Sequence, residues 1–229
     1  MQLSAKTLIV PIAMALMTTI PAQANLITNG SFEMASISPG SFTNVAVGST
    51  AITGWTVSLG NIDYIGSLWG ASNGSRSLDL EGSAGTCNLV IPNCPGGIAQ
   101  TFSTLAGQQY DVTFDLAGNP LNFPIIKTVS VSAAGQSQNF SFNVTGHGTG
   151  SMGWTTHTWT FTASGSTTTL EFDTADNPAT GWGPALDNVD VTLSSTVPPE
   201  STVPEPSTML LLGGGLLALA AGRMRRKQA

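Results

Sequence analysis

Apolar and polar residues alternate at a period of two through the middle of the chain. Tyr110, Val112, Phe114 and Leu116 alternate with Asp111, Thr113 and Asp115, and Phe140, Phe142 and Val144 alternate with Ser141 and Asn143. Val189, Val191 and Leu193 alternate with Asn188, Asp190 and Thr192. Successive side chains of a strand point to opposite faces, so each run predicts a strand with one buried face and one wet face. Less regular candidates are Asn25 to Glu33, Thr53 to Ile65, Ser75 to Glu81, Gly97 to Thr104, Lys127 to Ala133, Thr156 to Ala163 and Thr168 to Asp173. Turn formers such as Asn29-Gly30, Asn73-Gly74, Gly118-Asn119-Pro120, Ala134-Gly135 and Ser164-Gly165 separate them. No stretch of residues 25–195 keeps a 3.6-residue apolar period over three turns. The expected fold class is therefore all-β, an antiparallel β-sandwich of the jelly-roll kind without a helix longer than two turns.

The two ends of the chain have a different pattern. Lys6 precedes an apolar stretch from Thr7 to Ile20, and Ala22-Gln23-Ala24 supplies small residues for a signal peptidase. This order predicts a secretory leader over residues 1–24. Residues 25–195 then form the domain, and residues 196–206 a linker in which Pro198, Pro199, Pro204 and Pro206 favour an extended chain. Ser207 to Gly222 is again apolar and is followed by Arg223, Arg225, Arg226 and Lys227. At 16 residues this stretch is short beside the roughly 20 of a usual membrane-spanning helix. Its basic flank predicts that the extreme C-terminus stays cytoplasmic while the domain lies outside.

Val203-Pro204-Glu205-Pro206, the Gly- and Leu-rich apolar stretch and the terminal arginines occur in that order within one short segment. This arrangement resembles the PEP-CTERM sorting signal of Gram-negative bacteria. The resemblance implies processing near Pro204, Glu205 and Pro206 by an exosortase, with Arg223, Arg225 and Arg226 as the cytoplasmic anchor of the segment. The protein is then expected to sit transiently in the inner membrane and to pass to the outer surface or to exopolysaccharide.

Charge narrows the choice of partner. Residues 25–195 contain two basic residues, Arg76 and Lys127, against eleven acids, a net charge of −9. Two cations cannot neutralise a run of phosphates, which excludes nucleic acid as a partner. A carboxylate excess on a Ser-, Thr-, Gly- and Asn-rich surface suits a divalent cation or a neutral glycan, and it also suits plain solubility. Cys87 and Cys94 lie in one loop-like segment, and in an exported protein such a pair is expected to form a local disulfide.

Asn29-Gly30-Ser31-Phe32-Glu33 near the start and Leu186-Asp187-Asn188-Val189 near the end, with Gly54-Trp55 and Ser77-Leu78-Asp79-Leu80 between them, resemble the choice-of-anchor C family of bacterial surface proteins. They are also similar to plant cell-wall proteins of unknown function that have a galactose-binding-like jelly roll. The resemblance implies that the first and last strands lie side by side and enclose a structural calcium ion. Its ligands would be Glu33, Asp187 and main-chain carbonyls near Ser31, because calcium takes six to eight oxygens.

Glycan binding needs aromatic platforms that stack on sugar rings. Trp55 and Trp159 sit in strand-like runs and are expected in the core, whereas Trp69 and Trp182 sit in Gly-rich loops and are the candidate ligand contacts. An enzyme would need an acid, a base or a nucleophile. His147 and His157 have no accompanying catalytic motif, and Asp79 with Glu81 is an acid pair that could arise by chance among so many carboxylates. The sequence therefore points to a non-catalytic polysaccharide-binding module, with a structural matrix protein as the alternative and a glycan-acting enzyme as the third reading.

Overall fold

Strands form where the alternation places them. The computed structural model describes residues 24–83, 95–176 and 179–194. Its ten strands are β1 (Phe42–Ala46), β2 (Thr56–Ile65), β3 (Ser77–Asp79), β4 (Gly96–Ser103), β5 (Gln109–Gly118), β6 (Ile126–Ala133), β7 (Gln136–Asn143), β8 (Thr155–Thr162), β9 (Thr167–Thr174) and β10 (Pro184–Leu193). All pairings between them are antiparallel, in the order β7-β6-β9-β4-β2-β3-β10-β5-β8, with β1 added on β2. The described residues contain no helix.

β2 belongs to both layers. Its first half pairs with β4, with Thr56 opposite Ala99, and its second half pairs with β1 and β3, with Tyr64 opposite Thr43 and Leu78. The register shifts between Val57 and Leu59, and Gly60 follows with φ +47°. A Cβ at Gly60 would run into the Pro95 carbonyl, so the strand can turn this corner only without a side chain.

The two layers meet through aromatic rings. Phe114 of β5 lies 5.2 Å from both Phe140 of β7 and Phe172 of β9, edge-on in each case. Trp55 joins this cluster between Phe32 at 5.3 Å and Phe172 at 6.4 Å, and its indole N–H donates to the Asn29 carbonyl. As the alternation predicts, Val112, Phe114, Leu116, Val129, Val131, Leu170 and Phe172 are fully buried. Trp55 and Trp159 are in the core, as expected.

Two elements differ from the sequence reading. Asn25 to Glu33 is not a strand, because Asn29 (φ +57°) and Phe32 (φ +59°) leave extended geometry so that Phe32 can turn into the core. The segment still runs beside β10: the Leu26 N–H donates to Val191 O at 2.8 Å and the Val189 N–H to Gly30 O at 2.9 Å. The short edge strand β1 carries no regular alternation, since only Val45 of its five residues is buried.

Truncating Phe114 should leave a cavity where the layers meet. Phe114→Ala is expected to lower unfolding free energy by about 3–5 kcal/mol, read from a urea titration. Gly30→Ala should also destabilise strongly, because its Cβ would collide with the Val189 carbonyl. An unchanged urea midpoint for either variant would contradict this packing.

Candidate functional site

The two carboxylates expected to hold calcium both grip one loop. Glu33 Oε1 accepts the Ser75 and Arg76 N–H groups at 2.7 Å, and its Oε2 accepts the Ser75 hydroxyl at 2.9 Å. Asp187 Oδ2 accepts the Ser72 and Asn73 N–H groups at 2.7 and 2.8 Å, while Oδ1 accepts the Asn188 N–H. Asp115, opposite Asp187 in the β5–β10 register, accepts the hydroxyls of Ser72 and Thr156. Of roughly four lone-pair positions on a carboxylate, these donors occupy three on Glu33 and three on Asp187. One position on each is left for an ion. Burial, with the neighbouring Asp115 charge adding to it, pushes the Asp187 carboxyl up to about 7. Like charges directly opposite on adjacent strands repel, and a bound cation would relieve that repulsion. Oxygen donors and negative charge are of the kind calcium takes, but among the described residues no group of three or more acidic, His or Cys side chains is placed to hold a metal, so most of a calcium shell would have to come from main-chain oxygens. Ser31 is half-buried next to Phe32.

A second constellation lies where the loops after β5 and before β10 meet. Lys127, at the start of β6, is wholly buried, and its ammonium donates to the carbonyl of Asn122 at 3.0 Å and to that of Trp182. Glu81 Oε2 accepts the Thr180 and Gly181 N–H groups at 2.6 and 2.9 Å, and its Oε1 accepts the Thr174 hydroxyl. Asp79 accepts the N–H groups of Glu81 and Gly183 on one oxygen and the Asn119 amide on the other. Asp176 accepts the Thr128 N–H at 2.6 Å, and burial with the Glu81 charge pushes its carboxyl up to about 7. Burial likewise lowers the Lys127 ammonium, against the pull of the surrounding acids.

The candidate acid pair Asp79 and Glu81 is therefore sealed in the interior and bound to the protein's own donors, with Gly183 packed against both side chains. His157 stacks on Phe114 and meets Phe140 edge-on, and burial lowers its pKa. His147 packs on Phe142 and fills the space beside Gly153.

The structure separates the two candidate tryptophans. Trp69 is only 4% exposed and donates its indole N–H to Ser77 Oγ at 2.9 Å, so it belongs to the core and has no free face for a sugar. This corrects its assignment as a ligand contact: the covering loop is long enough to fold its tryptophan inward. Trp182 is half-buried at the loop end, next to the Lys127 clamp. Cys87, Cys94, the leader and the sorting segment with Pro204, Glu205, Pro206, Arg223, Arg225 and Arg226 lie outside the described residues. Sequence reading missed the Lys127 clamp and the loop it holds; its one signal was the apolar content of Leu121-Asn122-Phe123-Pro124-Ile125-Ile126 directly after a turn.

Fold and ends together define an exported β-sandwich protein with a C-terminal sorting signal. Residues 25–192 match the family described as "Protein of unknown function (DUF642)", and the chain belongs to that family. Residues 202–227 match the PEP-CTERM protein-sorting motif. The chain is 35% identical over 200 residues to Halomucin of Haloquadratum walsbyi, a match that covers 85% of this chain and 2% of that much longer protein. Among solved structures it is similar to a family 61 carbohydrate-binding module in complex with β-1,4-galactotriose (TM-score 0.43, 15% identity, 75% of this chain and 99% of that one). It is also similar to a family 16 carbohydrate-binding module (TM-score 0.44, 16% identity, 73% and 99%). A third similarity is to an arabinose-bound α-L-arabinofuranosidase (TM-score 0.49, 14% identity, 74% and 26%).

The buried acids set a pH dependence. Burial raises Asp79 well above its usual value, Asp173 to about 6, and Asp176 and Asp187 to about 7. Between about pH 4 and 7 the folded state holds protons that the unfolded chain has released. Their stabilising contribution is complete below the unfolded value and is lost as pH rises through 6 to 7. Without added metal, the melting temperature at pH 5 is expected to exceed that at pH 8 by several degrees. Asp176→Asn should flatten this slope by raising the melting temperature at pH 8; an equal slope in wild type and variant would refute the assignment.

Proposed function

We propose that this protein is exported through a cleaved leader and processed by an exosortase at the Pro-Glu-Pro motif. At the outer surface or in the extracellular matrix, its sandwich binds polysaccharide without acting on it chemically. The observation that carries this reading is the fixed aromatic loop end. Trp182 stays partly exposed, while Lys127, Glu81 and Asp79 hold the backbone on both sides of it. An aromatic ring whose backbone is already fixed offers a stacking surface with little ordering entropy to lose on binding. Sealing of the Asp79–Glu81 pair favours binding over hydrolysis, because two hydrolytic carboxyls must face a sugar across an open cleft.

Native affinity electrophoresis of the full chain, in gels containing extracted exopolysaccharide or defined glycans, tests the proposal. Retardation by at least one glycan is expected, with Trp182→Ala weakening it about tenfold or more. Mobility unchanged by every glycan would favour the structural matrix reading instead.

Calcium at Glu33, Asp187 and the carbonyls near Ser31 is a further part of the proposal, with a role in stability. A melting temperature that rises in millimolar calcium, falls back with chelator and stops responding in Asp187→Asn is the expected result. A calcium response identical in wild type and variant would remove the ion from this corner.

A further inference from the structure

The loop between β5 and β6 has an unusual combination of properties. Leu121, Phe123, Ile125 and Ile126 are 56%, 66%, 49% and 43% exposed, and they fall within six consecutive residues. Isolated exposed apolar residues are ordinary, but a contiguous group of large ones marks a binding surface. A mobile loop could carry such residues without purpose. This one is pinned along its length.

The Asn119 N–H donates to Gly183 O, and Asn119 Oδ1 accepts the Leu121 N–H. The Lys127 ammonium holds the Asn122 carbonyl, the Thr180 hydroxyl donates to the Phe123 carbonyl at 2.7 Å, and the Val144 N–H donates to the Ile125 carbonyl at 2.9 Å. A wholly buried ammonium bears a desolvation penalty. Here it serves to fix the carbonyl of this loop and that of Trp182 together. The backbone is satisfied and fixed while the apolar side chains are left in water, which is the arrangement of a preorganised contact surface.

Charge decides what such a surface can accept. The domain carries eleven acids against Arg76 and Lys127, and Lys127 is buried. Asp176, Asp79 and Glu81 act on the Lys127 ammonium inside the fold, and Arg76 lies at the Glu33 corner. No cation therefore remains at the ridge to attract a carboxylated or sulfated chain, and the field of the domain repels one. An uncharged glycan can lay the C–H face of its rings on Phe123 and the aliphatic side chains without that penalty.

Building on the polysaccharide-binding reading, we infer that the Leu121–Ile126 ridge, continued by Trp182, is the contact platform and that its ligand is a neutral polysaccharide. Phe123 provides the main stacking ring. Leu121 and Ile125 extend the apolar strip for neighbouring sugar units.

The test uses the full chain, purified in non-ionic detergent, in affinity gels containing neutral β-1,4-galactan, xyloglucan or β-1,3-glucan, or anionic polygalacturonate. Vesicles of phosphatidylethanolamine are a separate arm. Phe123→Ala and the double variant Leu121→Ser/Ile125→Ser replace exposed side chains, so their melting temperatures should match wild type. The expected result is retardation by a neutral glycan, little by polygalacturonate, and affinity lowered tenfold or more in both variants. Neutral binding that survives both variants would overturn the platform while leaving polysaccharide binding intact, and stronger binding to polygalacturonate would overturn the neutral class. Association with vesicles through Phe123 and no glycan binding would overturn both this inference and the polysaccharide reading.

Discussion

Buried carboxylates that accept main-chain N–H groups are the constraint on which the rest of this structure depends. A small β-sandwich has few residues to place in order outside its strands, and its long connections have no ladder to satisfy their backbone. In this protein the buried Asp187, with the exposed Glu33 beside it, holds the amides of the loop before β3, while the buried Asp79 and Glu81 hold those of the loop before β10. Each bond is charge-assisted when the acid is ionised, and so stronger than a neutral one. The same burial that strengthens the bonds penalises the charge, which is why the Asp187 carboxyl is pushed up to about 7 and that of Asp79 well above its usual value.

The proposed binding role rests on where these loops end. The core is formed by alternating strand residues and an aromatic cluster between the layers. Acids that in an open cleft could serve hydrolysis are occupied in holding backbone. Side chains released from structural duty gather on the β5–β6 loop and beside Trp182, at one end of the sandwich. Lys127, one of the domain's two basic residues, ties that end together from inside and presents no charge there; the other, Arg76, lies at the Glu33 corner.

The fold was largely legible in the sequence. Runs such as Tyr110 to Leu116 needed only the period of two, because a strand half-buried between layers has no other pattern available. The segment from Asn25 was harder, since its turn at Phe32 depends on a contact with Trp55 that lies 23 positions away in the chain. Loop aromatics were the weakest ground. Trp69 and Trp182 look alike in sequence, each flanked by glycine, yet one is buried against Ser77 and the other is partly exposed.

By itself the sequence determined the class of fold, the acidic balance of the domain, and the sorting motif at the C-terminus, because period, charge and a linear signal are all local properties of a chain. Tertiary structure alone decided which acids are buried, that Trp182 and not Trp69 stays partly exposed, and that a lysine lies beneath the apolar loop. Those outcomes depend on which loops meet in space, and the strand order, with β2 crossing between layers and β10 seated between β3 and β5, brings together residues from distant parts of the chain.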